Sequence, residues 1–424
     1  MRRERRCNEC FSRTLQPITC ISQPATCNLA PRQNFPAIRT YAVTTFEGFE
    51  EILADELTAL GASDVQPGRR VVMCKGDKAF MYRANLNLRT GIRVLTEIAS
   101  FRARNEQAMY DQLKAIDWSP YLDVEGYLWI DANTQSDYHR NAVYLSQLFK
   151  DAIVDQFRAR TGKRPSVSKE NADLTLNLHV TRNDEVSVSL NSSGESLHRR
   201  GYRKRTGGAP INEVLAAGLV ILSGYDGEVP FCDPMCGSGT IVAEAAMIAA
   251  RQAPGLNRSF GFERWPGFDA ALWASVRQEA RDRVRTPPHP IVANDIDELT
   301  LRLAKVSLER TGLVRHIQFE ARPFNQLPAP APAPENGGIL ITNPPYEVRL
   351  RTGNIEQLYE MIGDTLKTNW QGYAAWVITG SPEGLKSVGL KTSRRIPLMN
   401  GPIEVRYVKY ELYAGSRKVK GEGE

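Results

Sequence analysis

Residues 229–240 read Val-Pro-Phe-Cys-Asp-Pro-Met-Cys-Gly-Ser-Gly-Thr, and an Ala-rich helical run from Ile241 to Ala250 follows at once. This is a short strand, a glycine loop and a helix N-terminus. Gly237 and Gly239 permit positive φ and close backbone approach. Asp233, at the strand end, is placed to hold a cationic ligand group, and Pro234, Met235, Cys236 and Thr240 complete the candidate cofactor loop. The loop lacks Gly-Lys-Ser/Thr, which argues against a phosphate loop. It also lacks the third glycine of the dinucleotide fingerprint.

Downstream, Ile291-Val-Ala-Asn-Asp-Ile-Asp297 is a second strand ending in acid. Asp295 is placed to hold ribose hydroxyls, as second-strand acids do in doubly wound nucleotide folds. Strand and helix patterns then alternate through 298–311, 316–320, 338–343, 354–368 and 373–379, which predicts an α/β sheet of mostly parallel strands. Ile341-Thr-Asn-Pro-Pro-Tyr346 closes one of these strands. An exocyclic amine conjugated to a ring is a poor nucleophile because its lone pair is delocalised. Asn343 offers a side-chain oxygen and Pro344 a carbonyl, and two acceptors of this kind hold such a nitrogen with its lone pair aimed at a methyl donor. Pro344 and Pro345 fix φ and stiffen the turn; Tyr346 offers a face on which a base stacks. Alone, the tetrapeptide reads equally well as a Pro-Pro turn beside an aromatic. Glycine loop, strand-end acid and Asn-Pro-Pro-Tyr in this order predict a methyltransferase.

The chain has 424 residues, enough for two or three domains. No stretch approaches about 18 uninterrupted apolar residues, so no transmembrane helix is expected. Of the net charge of +6, residues 1–40 supply +5, with seven arginines against two acids. The body is therefore near neutral, and any nucleic-acid surface must be a local patch. The leader is Arg-rich, acid-poor and scattered with Ser, Thr and Pro, the composition of an organelle transit peptide, for chloroplast stroma or mitochondrial matrix. A disordered tail or an extension from an upstream start codon, leaving a cytoplasmic protein, is the alternative. Cys7, Cys10, Cys20 and Cys27 are irregularly spaced, so no metal site is expected there. Cys74, Cys232 and Cys236 argue against a disulfide framework.

Upstream of the catalytic motifs, Tyr41–Thr45, Val71–Cys74 and Arg93–Phe101 read as strands around helices at 48–60 and 77–86. A second unit follows: a helix at 107–116, a strand at 127–133, a long helix at 139–160, and a hairpin of Leu174–Thr181 and Glu185–Leu190 with period-two alternation. It predicts a one-sided antiparallel sheet. Then Leu197-His-Arg-Arg-Gly-Tyr-Arg-Lys-Arg205 packs five cations and one aromatic into seven residues. Arg199, Arg200, Tyr202, Arg203, Lys204 and Arg205 are the candidate RNA contacts, through phosphate pairing and stacking; a solvated basic linker is the plain alternative.

Four stretches carry a resemblance: Phe46-Glu-Gly-Phe-Glu-Glu-Ile-Leu53, Leu197-His-Arg-Arg-Gly-Tyr-Arg203, Asp233-Pro-Met-Cys-Gly-Ser-Gly-Thr240 and Thr342-Asn-Pro-Pro-Tyr346, of which the second and third together are highly specific. On these the chain resembles the bacterial 23S rRNA guanine-N2 methyltransferases of the RlmL type, within the THUMP-domain methyltransferases, from about Tyr41 to near Leu412. The resemblance implies a ferredoxin-like domain at 41–104, a THUMP RNA-binding domain at 105–192, a basic linker at 193–212 and a Rossmann-like methyltransferase domain at 213–415, between the leader at 1–40 and a tail at 416–424. It implies S-adenosyl-L-methionine as cofactor, held by Asp233, Gly237, Gly239 and Asp295, and the target amine held by Asn343, Pro344 and Tyr346. Two positions depart from the family. Pro323 stands where an acid contacts the adenine amine, and Glu347-Val348 replaces Gly-Glu after the tetrapeptide.

The expected activity is formation of N2-methylguanosine in large-subunit rRNA, with RNA as partner and no membrane. The alternatives are a tRNA guanine-N2 methyltransferase, an adenine or glutamine methyltransferase, and a non-catalytic RNA-binding assembly factor.

Overall fold

The computed structural model describes residues 38–203, 211–330, 337–345 and 355–413. Residues 1–37 of the leader, Lys204, Arg205, Tyr346 and the C-terminal tail lie outside the described residues, while Arg39 and Thr40, counted with the leader, open the first strand.

The front half is built from β1 (Arg39–Thr44), α1 (Glu50–Ala59), β2 (Ser63–Gly68), β3 (Val71–Gly76), α2 (Lys78–Asn87) and β4 (Arg93–Arg102). It continues with α3 (Glu106–Ala115), β5 (Tyr127–Thr134), α4 (Ala142–Thr161), β6 (Ser166–Val167), β7 (Leu174–Val180) and β8 (Glu185–Asn191). α2 and α4 begin where a short polar side chain accepts a free amide: Asp77 from the Phe80 N–H at 2.6 Å, Asn141 from the Tyr144 N–H at 3.0 Å. α4 stops at Gly162, whose φ of +73° suits a residue without Cβ.

The two units expected here share one eight-stranded sheet in the order β2-β3-β1-β4-β8-β7-β5-β6. β4 makes the join: residues 93–96 pair with β1 and residues 95–102 with β8. The expected hairpin is β7–β8. The second unit's sheet is mixed rather than antiparallel, because β5 runs parallel to both β6 and β7.

The second half comprises α5 (Glu213–Leu222), β9 (Phe231–Asp233), α6 (Thr240–Ala249), α7 (Ala270–Asp282), β10 (Ile291–Asn294), α8 (Glu298–Glu309) and β11 (Ile317–Glu320). After these come β12 (Gly338–Thr342), α9 (Ile355–Asn369), β13 (Tyr373–Thr379), α10 (Pro382–Ser387), β14 (Arg394–Asn400) and β15 (Ile403–Glu411). The sheet order is β11-β10-β9-β12-β13-β15-β14. The first five strands are parallel, as expected, and β15 joins antiparallel to β13. The order reverses about β9, so β10, β9 and β12 end side by side at the switch point, where ligands bind in such sheets.

The two halves interpenetrate. Phe49 is fully buried in the catalytic core, against Gly218 of α5, where an added Cβ would lie 2.2 Å from the Phe49 ring. Conversely, Phe260, Phe262, Trp273 and Val276, expected in the methyltransferase domain, pack into the front core, with Phe262 stacked on Tyr82 at 4.5 Å. No helix among the described residues is long and apolar enough to cross a membrane.

Candidate active site

The apolar strands β9, β10 and β12 each end in a polar residue, and the sheet sets those ends in a row. Asp233 is 1% exposed, and its Oδ1 accepts the Met235 N–H at 3.2 Å. Burial pushes its carboxyl well above the usual range, and Asp295 adds to the rise. A cationic group bound there would reverse the shift, so Asp233 fits a cationic ligand.

The glycine loop is fastened to the neighbouring strand. The Cys236 N–H donates to the Asn294 carbonyl at 2.8 Å, and the Gly239 N–H returns to the Cys236 carbonyl at 2.8 Å. Gly237 has φ +53°, and a Cβ added there meets nothing within 4 Å, which leaves the backbone face open to a ligand. Gly239, at φ +74°, lets the loop sit against α8: an added Cβ would press to 3.2 Å on Ala304 and Leu308. The Asp295 carboxylate accepts the Gly237 N–H at 2.9 Å and the Asp297 N–H at 3.0 Å. Each oxygen keeps a lone pair, so ribose hydroxyls remain within its capacity. Open space at Gly237, the buried acid and the strand-end carboxylate together fit S-adenosylmethionine. Cys232 and Cys236 are buried and their thiols are pushed up, which leaves them inert.

Sequence reasoning passed over Asn294. It is fully buried; its amide donates to the Pro234 carbonyl at 2.8 Å and the Arg322 carbonyl at 3.0 Å, and its oxygen accepts the Arg322 N–H at 3.3 Å. One side chain thus clamps the ends of β9, β10 and β11. The available signal was a polar residue closing an apolar run, one place before the acid that was read. Beside the clamp, Pro323 opens a short 3-10 turn three residues past the end of β11, and the acid closing β11, Glu320, is paired with Arg322 at 2.5 Å.

At the end of β12, Asn343 Oδ1 is buried with no hydrogen-bond partner among the described residues, and so is Thr342 Oγ1. A buried orphan acceptor costs about 1–3 kcal/mol, and a donor brought by a ligand at Asn343 would relieve that cost. Pro344 is buried and Pro345 half-buried.

The basic segment needs correction. Arg200 is 3% exposed and Tyr202 4% exposed, so neither reaches RNA. The Arg200 guanidinium donates to the Leu197 carbonyl at 2.8 Å and to the Leu88 and Arg89 carbonyls, and faces Glu244 of α6 at 3.5 Å. The Tyr202 hydroxyl donates to Glu244 at 3.2 Å. Arg203 also turns inward: it pairs with Glu213 at 3.3 Å and donates to the Ile211 carbonyl and the Thr240 hydroxyl. Arg199 keeps an exposed side chain, paired with Glu195 at 2.6 Å. Within the stretch taken for a linker, Arg200 and Tyr202 are buried pegs between the two halves, with Arg203 partly buried beside them.

His198 lies among these arginines, its Nδ1 2.7 Å from Ser196 Oγ. Burial first, then Arg199, Arg200, Arg258 and Arg203, pull its pKa from 6.5 down to about 4. A depressed folded-state pKa gives stability that is present above the unfolded value and lost as pH falls through the folded one. Stability is therefore expected to decline from pH 6.5 towards about 4 in part through His198. His198→Gln should flatten that portion of a urea-stability profile; an unaltered slope would place the acid sensitivity elsewhere.

Comparison with known proteins agrees with this geometry. Residues 40–95 match the RlmL ferredoxin-like domain, 103–191 the THUMP domain, and 200–409 the RMKL-like methyltransferase domain. A Synechocystis sp. protein, slr0064, provisionally named an RNA methyltransferase, is 39% identical over 380 residues, spanning 88% of this chain and 97% of the relative. The ribosomal RNA large subunit methyltransferase K/L of Syntrophotalea carbinolica is 37% identical over 381 residues, 88% of this chain; the chain spans about half, 53%, of that relative. The crystal structure of SMU.472, provisionally named a methyltransferase and complexed with SAH, superposes with a TM-score of 0.80 at 27% identity, covering 90% of this chain and 100% of that one. With its three domains in order and its buried acid, glycine loop and orphaned asparagine at one switch point, the chain belongs to the S-adenosylmethionine-dependent THUMP-domain RNA methyltransferases of the RlmK/L type.

Proposed function

We propose that the protein forms N2-methylguanosine in large-subunit ribosomal RNA. The observation that carries this reading is the orphaned Asn343 Oδ1 at the end of β12, one strand from Asp233. S-adenosylmethionine, when bound, supplies an electrophilic methyl carbon on a sulfonium. Asn343 Oδ1 and the Pro344 carbonyl accept the two N–H bonds of the guanine amine and direct its lone pair at that carbon. As the N–C bond forms and the S–C bond breaks, the amine becomes acidic. Its proton passes to water or is shared with Asn343, so no strong base is required. The fixed turn makes the acceptors preorganised, and preorganisation is what such a site contributes to rate.

RNA as substrate is supported by the match to the THUMP domain and by the names of the relatives. Nucleoside mass spectrometry of RNA from cells with and without the protein tests the product. Loss of N2-methylguanosine from large-subunit rRNA is expected. Its loss from tRNA instead would overturn the target, and loss of a methyladenosine would overturn the base.

A further inference from the structure

We infer that Arg203 is a positioning residue for the methyl-donor loop. Its guanidinium joins the start of α5, through Glu213 at 3.3 Å and the Ile211 carbonyl at 3.1 Å, to the hydroxyl of Thr240, which is 37 residues away in sequence. Thr240 is the first residue of α6 and the last of Gly-Ser-Gly-Thr, and its Oγ1 lies 3.2 Å from Ser238 Oγ. Arg203 therefore grips the cofactor loop by the side chain at its exit.

Two observations separate this from ordinary packing. A cation beside a helix N-terminus opposes the helix dipole, so the contact is not one that helix stability selects. It is held there by Glu213, itself only 5% exposed. The helix also has no side-chain cap, because Gly239 occupies the N-cap position. The Arg203 contact thus fixes the Thr240 side chain where no cap orients the turn. It takes one lone pair of the Thr240 hydroxyl; the other lone pair and the proton remain for Ser238 or a bound ligand.

Arg203 is also the end of a braced segment. Arg258 donates to the Ser193, Glu195, Ser196 and Arg199 carbonyls, and Arg200 reaches the Leu88 and Arg89 carbonyls in front of β4. These contacts run without a break from the front sheet along Leu197–Arg203 to the loop before α6.

The test is a double-mutant cycle on S-adenosylhomocysteine affinity, measured by calorimetry on the full chain, with ligand-free melting followed separately. Arg203→Met and Thr240→Val are each expected to weaken binding about tenfold, and the double variant no further than the worse single one, because contacting residues couple. Arg203→Lys should recover part of the loss. Independent, multiplying losses, or wild-type affinity in Arg203→Met, would overturn the inference. If Arg203→Met does not fold, Glu213→Gln, which loosens the grip while keeping Arg203, enters the same cycle with the same two outcomes. Failure of the unmodified protein to bind S-adenosylhomocysteine would instead strike at the cofactor itself. The inference is independent of which RNA is methylated.

Discussion

Asn343→Ala is expected to lower the methyl-transfer rate about 10²–10³-fold, the usual loss when one preorganised polar group is removed from a reacting centre. Binding of S-adenosylhomocysteine should stay within a few-fold of normal. The separation follows from the geometry. The groups that fit the cofactor end β9 and β10, whereas Asn343 ends β12 and its oxygen has no partner among the described residues. Asn343 Oδ1 strands no hydrogen-bond partner among the described residues when it is removed, so the melting temperature should change little. Asn343→Asp is the sharper companion, since it keeps an acceptor and adds a charge. Single-turnover assays with saturating cofactor read the effect directly. Near-normal turnover in Asn343→Ala would remove the acceptor from the mechanism.

The second large effect is on stability. In Arg200→Met, Glu244 keeps its burial and loses its nearest counter-charge, and the Leu88, Arg89 and Leu197 carbonyls lose their donor. Breaking one side of a buried pair costs about 3–5 kcal/mol. The midpoint in urea reports it at constant slope. Burial already pushes the Glu244 carboxyl up, against the pull of Arg200 and Arg89. Without Arg200 the rise should grow, so the deficit should shrink as the solution is acidified and Glu244 takes a proton. Arg200→Met with Glu244→Leu should recover part of the loss, because the stranded charge goes while the carbonyls stay unpaired. A loss below about 1 kcal/mol is what an exposed pair would give, and it would restore the surface reading of this segment.

The catalytic end of the molecule was legible because its logic is local. A strand end, a glycine pair and a short motif are contiguous, and a parallel sheet brings such ends together without further instruction. Asn294 escaped because its role lies in what it bridges, three loops that only the folded sheet aligns. The basic segment was misread for a similar reason. Five cations in seven residues look solvated until Glu244, more than forty residues on, is folded against Arg200 and Glu213 against Arg203. β2 was passed over because Pro67 and Gly68 break its pattern; an edge strand tolerates them. The β14–β15 hairpin was missed because Arg394, Arg395 and Pro397 mask the strand signal at another edge.

The strand β4 gives the enzyme the character of a calliper. Its first residues are paired to the module whose Phe49 is sunk into the catalytic core, and its last residues carry the THUMP lobe through β8. That strand is continuous from Arg93 to Arg102, with one shift of register against β8 between Glu97 and Ala99, so the span between the lobe and the catalytic end is set by strand twist and by that bulge. On the proposed reading, an RNA is then measured as well as read. A guanine qualifies by lying at the right distance and angle from the feature the lobe holds, and its immediate neighbours need carry little of the choice.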